Sequence, residues 1–166
     1  MDIILLQPGE PDIVFAPDLP RIDGLPAAEI GGFDPSLCVP LTAFGQDLKA
    51  PASPTAPPAT AFTVIKPVDV LSVKLYEFCL RALPLGAGHD RPSYLHRVSN
   101  GVLVFSIALR DAAIADIQLQ TQADGSIVER LTLAPSEMLW THYTDHGVLH
   151  TGWSTLRNGP IASFTT

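Results

Sequence analysis

The sequence predicts a mainly β protein of one domain: a small β-barrel made of two packed sheets, flanked by one α-helix, with a long extended loop after the second strand. Three observations predict it. Short apolar or alternating segments recur between turn signals, at the even spacing of barrels and sandwiches. Only one stretch carries a convincing helical period. Charged residues make up 16% of the 166 residues and hydrophobic ones 46%, against roughly 25% charged in ordinary globular chains. A chain so poor in charge has a large core or hides much of its surface against partners.

The elements follow in order. Residues 1–26 hold Pro8, Pro11, Pro17, Pro20 and Pro26, so any strand there is short and at an edge, with Ile13-Val14-Phe15 the best candidate. Leu37 to Phe44 reads as a strand in which Pro40 marks an edge or a bulge. Ala50 to Thr60 has four prolines among small residues and packs neither helix nor sheet interior; it is an extended loop. A strand over Ala61 to Lys66 leads into the helix, with Ser72 as N-cap and Asp69 near its positive end. Leu75, Phe78, Cys79 and Ala82 form one apolar stripe, and Pro84 and Gly86 end it. Val102 to Leu109 is apolar on both faces, as a covered strand is. Ile114 to Thr121 alternates, with Ile117 and Leu119 on one side and Asp116, Gln118 and Gln120 on the other. Ala123-Asp124-Gly125 turns it into Ile127 to Leu133. Met138 to Thr144, a turn at Asp145-His146-Gly147, and Val148 to Trp153 form a second hairpin. The total is seven or eight strands.

Charge and cysteine content exclude several classes. A net charge of −7, with no Lys/Arg cluster to offset it, argues against nucleic acid or an anionic membrane as partner. Cys38 and Cys79 are too few and too far apart for a disulfide framework or a zinc set, and read as buried apolar residues in a reduced compartment. The apolar run Ile3 to Leu6 has no basic leader and no long apolar core, so no Sec signal is expected. No stretch approaches the roughly 20 apolar residues of a membrane span.

A search for chemistry yields little. His142, His146 and His150 are spaced by four residues, which on a helix would align them for a metal. Their neighbours favour a hairpin instead, with His146 at the tip and His142 and His150 able to face each other across the strands. Two histidines without a fixed carboxylate make a poor transition-metal site. The Gly-x-Ser-x-Gly elbow, the P-loop, Gly-x-Gly-x-x-Gly and His-Glu-x-x-His are all missing. Gly86-Ala87-Gly88 follows the helix, whereas a phosphate cradle precedes one. No catalytic residue, cofactor or metal site is expected, and a structural or binding role is favoured over an enzyme.

Three segments, taken in order, resemble the Hcp family, the tube proteins of type VI secretion systems. The first is Phe62-Thr63-Val64-Ile65-Lys66-Pro67-Val68-Asp69, then Ser72, Leu75-Tyr76 and Gly86, similar to the family's strand-to-helix pattern. The second is Val102 to Leu109, Asp111 and the hairpin Ile114 to Leu133, with Glu129 and Leu131-Thr132-Leu133 in place of a Glu-x-x-Leu-like segment. The third is Trp140-Thr141-His142-Tyr143, a Gly-containing turn, then Gly152-Trp153 and Asn158. The resemblance covers Ala61 to about Ile161. In the N-terminal third, Leu19 to Gly24 and Leu37 to Gln46 correspond to the family's first two strands. Asp23-Gly24-Leu25-Pro26 stands where the family has Gly-Glu-Ser.

The resemblance implies a barrel flanked by a helix that closes into homohexameric rings. These stack into a hollow tube that a contractile sheath drives outward behind a spike protein of the VgrG type, with secreted effectors as cargo. The subunit is then made in the cytoplasm and secreted through the apparatus without a signal peptide. The loop reaching toward the next subunit or ring falls at Gln46 to Thr60, including Gln46, Asp47, Leu48, Lys49, Pro51, Pro54, Pro57 and Pro58. A preset proline-rich arm loses less entropy on docking than a Gly/Ser loop. Asp116, Gln118 and Gln120 form a polar, nearly uncharged face suited to a lumen, or to an ordinary solvated sheet face. The rivals are the tube protein of a contractile phage tail or extracellular injection particle, and a monomeric β-barrel holding a small apolar ligand among Phe62, Phe105 and Trp140.

Overall fold

The computed structural model describes residues 1–14, 22–26 and 30–166. It is mainly β, with eleven strands and one helix of more than one turn among the described residues. The strands are β1 (Asp2–Gln7), β2 (Val39–Leu41), β3 (Ala43–Lys49), β4 (Ala59–Pro67), β5 (Ser93–Ser99) and β6 (Val102–Arg110). They continue with β7 (Ala113–Thr121), β8 (Ile127–Ala134), β9 (Glu137–Thr144), β10 (Gly147–Ser154) and β11 (Gly159–Ile161). The helices are the single turn α1 (Pro11–Val14) and α2 (Ser72–Leu80). One sheet has seven strands in the order β11-β10-β9-β6-β5-β1-β2, the other four in the order β3-β4-β8-β7, and every described pairing between these strands is antiparallel.

The main core lies between the sheets. Phe62, Val64, Leu131 and Leu133 from the small sheet meet Leu6, Leu95, Ile107, Leu109 and Met138 from the large one, with Leu71 and Leu75 of the helix region joining them. Alternation produces this directly: Phe62, Val64 and Lys66 are buried while Ala61, Thr63 and Ile65 are not, the period-2 pattern of a half-covered strand. Phe62 is fully buried in this core. The large sheet carries a second core on its other face, where Leu5, Val98 and Leu103 pack beneath Phe33 and Cys38.

Several expectations are corrected. The run Ile3 to Leu6 belongs to β1, an internal strand between β5 and β2; Ile3 and Ile4 are half-buried and Leu5 and Leu6 buried, without alternation because Leu5 and Leu6 enter cores on opposite faces. Ile13 and Val14 lie in α1 rather than in a strand, and Phe15 falls outside the described residues, as do residues 19–21 of the expected strand Leu19 to Gly24. The segment Leu37 to Phe44 divides at Thr42: β2 edges the large sheet and β3 edges the small one. Pro40 sits in that edge strand, where its missing N–H costs no ladder bond. The strand β5 was not expected, since it buries Ser93 and His96 and so reads as polar. Ser72 is the first residue of the helix, preceded by Leu71 as N-cap, and Ala82 lies beyond its end.

Candidate functional site

Most polar residues of the Phe62-to-Tyr76 pattern converge, with Glu129, on one buried cluster. Lys66 and Glu129 face each other across β4 and β8, both fully buried, with Nζ 2.6 Å from Oε1. Lys66 also lies 2.9 Å from Asp69 Oδ1 and donates to the Pro67 carbonyl at 2.9 Å. Ser72 Oγ donates to Glu129 Oε1 at 2.9 Å, and the Tyr76 hydroxyl donates to Oε2 at 2.8 Å. Burial, and next the Glu129 carboxylate it serves, raise the Tyr76 hydroxyl above its ordinary pKa. The cluster contains an acid, a lysine and a serine but is closed to solvent at Lys66, Ser72 and Glu129. Its work is to fix α2 on the small sheet, because buried charges persist only when every partner is present.

The small sheet presents its other face to solvent, and register decides what stands there. Asp116, Gln118 and Gln120 of β7 oppose Thr132, Arg130 and Val128 of β8, and the Thr132 hydroxyl donates to Asp116 Oδ1 at 3.2 Å. Across β4 and β3 the same face continues through Ile65, Thr63 and Ala61 to Ala43, Gly45 and Asp47. Small and uncharged residues dominate it, with Asp47, Lys49, Asp116 and Arg130 as its ionised groups. The three polar residues of β7 therefore share one solvent-facing sheet surface.

Among the described residues, β3 and β7 end this sheet without a further partner strand, and the two edges are unlike. The β7 edge is bridged only at its start, by Pro84 to Ala113. From Asp116 onward it is exposed apart from half-buried Ile117. Its residues 117–122 carry no charge and no proline, the devices by which sheet edges are normally protected from other chains.

The expected loop is shorter than the sequence suggests. Gln46, Asp47, Leu48 and Lys49 are strand residues of β3, paired with Phe62, Ala61, Thr60 and Ala59; only 50–58, with Pro51, Pro54, Pro57 and Pro58, is loop. The arm is thus a β-hairpin with a proline-rich tip. Its stem is pinned, since the indole N–H of Trp140 donates to Gln46 Oε1 at 2.7 Å. Between tip and large sheet lies an apolar cleft of about 540 Å³, bordered by Leu48, Pro54, Pro58, Trp140, Trp153 and Pro160. Sequence reading missed this cleft: Trp140 and Trp153 lie on neighbouring strands, and only the register brings them to one face.

The histidine hairpin does not form a site. His142 pairs with Leu149 and His150 with Thr141, one step out of register, so the two rings lie on opposite faces of the sheet and do not oppose each other. His142 packs near Phe105. No group of three or more His, Cys, Asp or Glu residues among the described residues is placed to hold a metal. No described helix is long and apolar enough to cross a membrane.

Two antiparallel sheets of seven and four strands, with one helix tied to the smaller through the Ser72 and Tyr76 hydroxyls on buried Glu129, define the class. That arrangement is the Hcp fold. The chain is similar to Hcp1 from Salmonella typhimurium, at 15% identity and TM-score 0.65 over 96% of this chain and 99% of that one. A type six secretion system protein matches at 12% identity and TM-score 0.66 over 97% and 100%, and the secreted protein Hcp3 from Pseudomonas aeruginosa at 14% and 0.58 over 92% and 96%. Neither a family model nor a curated protein sequence matches the chain.

Proposed function

We propose that this chain is an inner-tube subunit of a type VI secretion system, with a structural rather than catalytic role. Six copies close a ring, and rings stack into a tube that a contractile sheath expels behind a VgrG-type spike, carrying effectors. The observation that carries the reading is the small sheet, which ends in two unlike edges and turns to solvent a face of mostly small and uncharged residues, its two acidic and two basic groups balanced. Closed rings need unlike surfaces that meet around an axis, and edge pairing of β7 with β3 of the next copy supplies such a contact. The solvent face bearing Asp116, Gln118 and Gln120 then lines the lumen, with few charges to retain cargo. Low overall charge supports the same reading, because interface cores are depleted of charged residues.

Stacking falls to the arm. Its tip, Pro51 to Pro58, is held away from the core on a pinned hairpin stem, and it is exposed except at Ala56 and Pro58. Replacing 50–58 by a two-residue Asn-Gly turn preserves the β3–β4 hairpin. The variant is expected to fold with unchanged stability and to form single rings that no longer stack, as judged by light scattering and negative-stain microscopy. Long tubes from this variant would refute the role of the arm.

A further inference from the structure

The second face of the large sheet holds a buried histidine that tube building does not use. His96 of β5 is fully buried. Its Nε2 lies 3.1 Å from Gln7 Oε1 and its Nδ1 lies 2.7 Å from Ser106 Oγ. Tyr94 stacks on the ring at 5.0 to 5.1 Å spacing shared with Phe33, the tyrosine parallel and the phenylalanine edge-on. Gln7 fixes the proton positions. Its amide grips the backbone on both sides of Phe33, donating to the Gly32 carbonyl at 2.9 Å and accepting from the Asp34 N–H at 2.8 Å. With Oε1 committed as acceptor, Nε2 carries the hydrogen and Nδ1 accepts from the Ser106 hydroxyl.

We propose that His96 is an acid-sensitive latch that holds segment 30–38 on the large sheet. His96 underlies three supports of the segment: the Phe33 ring, the Gln7 grip and Tyr94. Gly32, at φ +85°, lies so close to the Tyr94 hydroxyl that a Cβ would collide with it, and Gly31 lies likewise against Tyr143. A second proton on the ring breaks neither hydrogen bond, because the Ser106 hydroxyl can turn and accept. The penalty is the burial of an uncompensated cation. β1 and β6 supply the neutral Gln7 and Ser106. Tyr94, Tyr143 and Cys38 are pushed upward by burial, Cys38 to about 12, and all three stay neutral. Asp34 directs its carboxylate to Ser36. No carboxylate among the described residues hydrogen-bonds the imidazole.

Burial holds His96 at about 3, below the roughly 6.5 of a free imidazole. Between these values the opened segment binds a proton that the closed one does not, so opening becomes easier as pH falls. The opening equilibrium is expected to rise about 30-fold from about pH 7.5 to about pH 5.0. Hydrogen exchange at Phe33 and Asp34, normalised to intrinsic rates, reads this directly in the intact protein. The expected result is that rise at 30–38 alone, absent in His96→Gln, with the imidazole remaining neutral by NMR at pH 5. A segment whose opening is independent of pH, an imidazole titrating at its ordinary value, or equal acceleration across β6 and β9 would each overturn the latch.

Discussion

Replacing Glu129 by alanine is expected to lower stability by about 3–5 kcal/mol, the usual consequence of removing one partner from a buried charge pair. Three donors converge on this carboxylate: Lys66, Ser72 and Tyr76. Its loss leaves two hydroxyls without that acceptor and a buried ammonium dependent on Asp69 and the Pro67 carbonyl. Urea unfolding followed by the fluorescence of Trp140 and Trp153 measures the change. Replacing both charges, with Lys66→Met and Glu129→Leu together, is expected to recover much of the loss, since apolar pairs of similar volume often match buried ion pairs. A loss below about 1 kcal/mol for Glu129→Ala would mean that the cluster does not hold the helix in place.

A loss of about 3–5 kcal/mol is likewise expected for Phe62→Ala. Phe62 is fully buried in the middle of β4. It stands opposite Gln46 on one side and Leu133 on the other, all on the core face. Both strands are held in register by their ladders, so the walls cannot collapse inward, and most of the vacated volume remains as a cavity. Phe62→Leu keeps most of that volume and is expected to cost far less. Equal losses for the two variants would show that the site relaxes and that the sheets are not rigidly spaced.

The sequence disclosed those parts of the fold whose side chains report their surroundings. The C-terminal hairpins were legible because polar and apolar residues alternate beside recognisable turns, as at Asp124-Gly125. β5 was not, because Ser93 and His96 are buried through hydrogen bonds, which periodicity reads as exposure. β1 was hidden for the opposite reason, being an apolar run covered on both faces. The polar pattern Lys66, Asp69, Ser72 and Glu129 was visible as residues, but pairing across β4 and β8 makes it a cluster. Register also moved the site. It placed Asp116, Gln118 and Gln120 on one open face, as the alternation implied. It drew Gln46 to Lys49 out of the loop and into β3, and it set His142 and His150 on opposite faces.

The ring is the central claim, and it depends on the open edges of the small sheet finding each other. The proposed contact joins the β7 edge, uncharged and free of proline over 117–122, to the β3 edge, whose Asp47 and Lys49 are of opposite sign, so like charges are not forced together even on a chain with a net charge of −7. Light scattering on the purified protein, with negative-stain microscopy of the same sample, tests this most directly. Six copies of the 17.8 kDa chain and ring-shaped particles with a central opening are the predicted result. A monodisperse monomer at every concentration, with no annular particles, would contradict it.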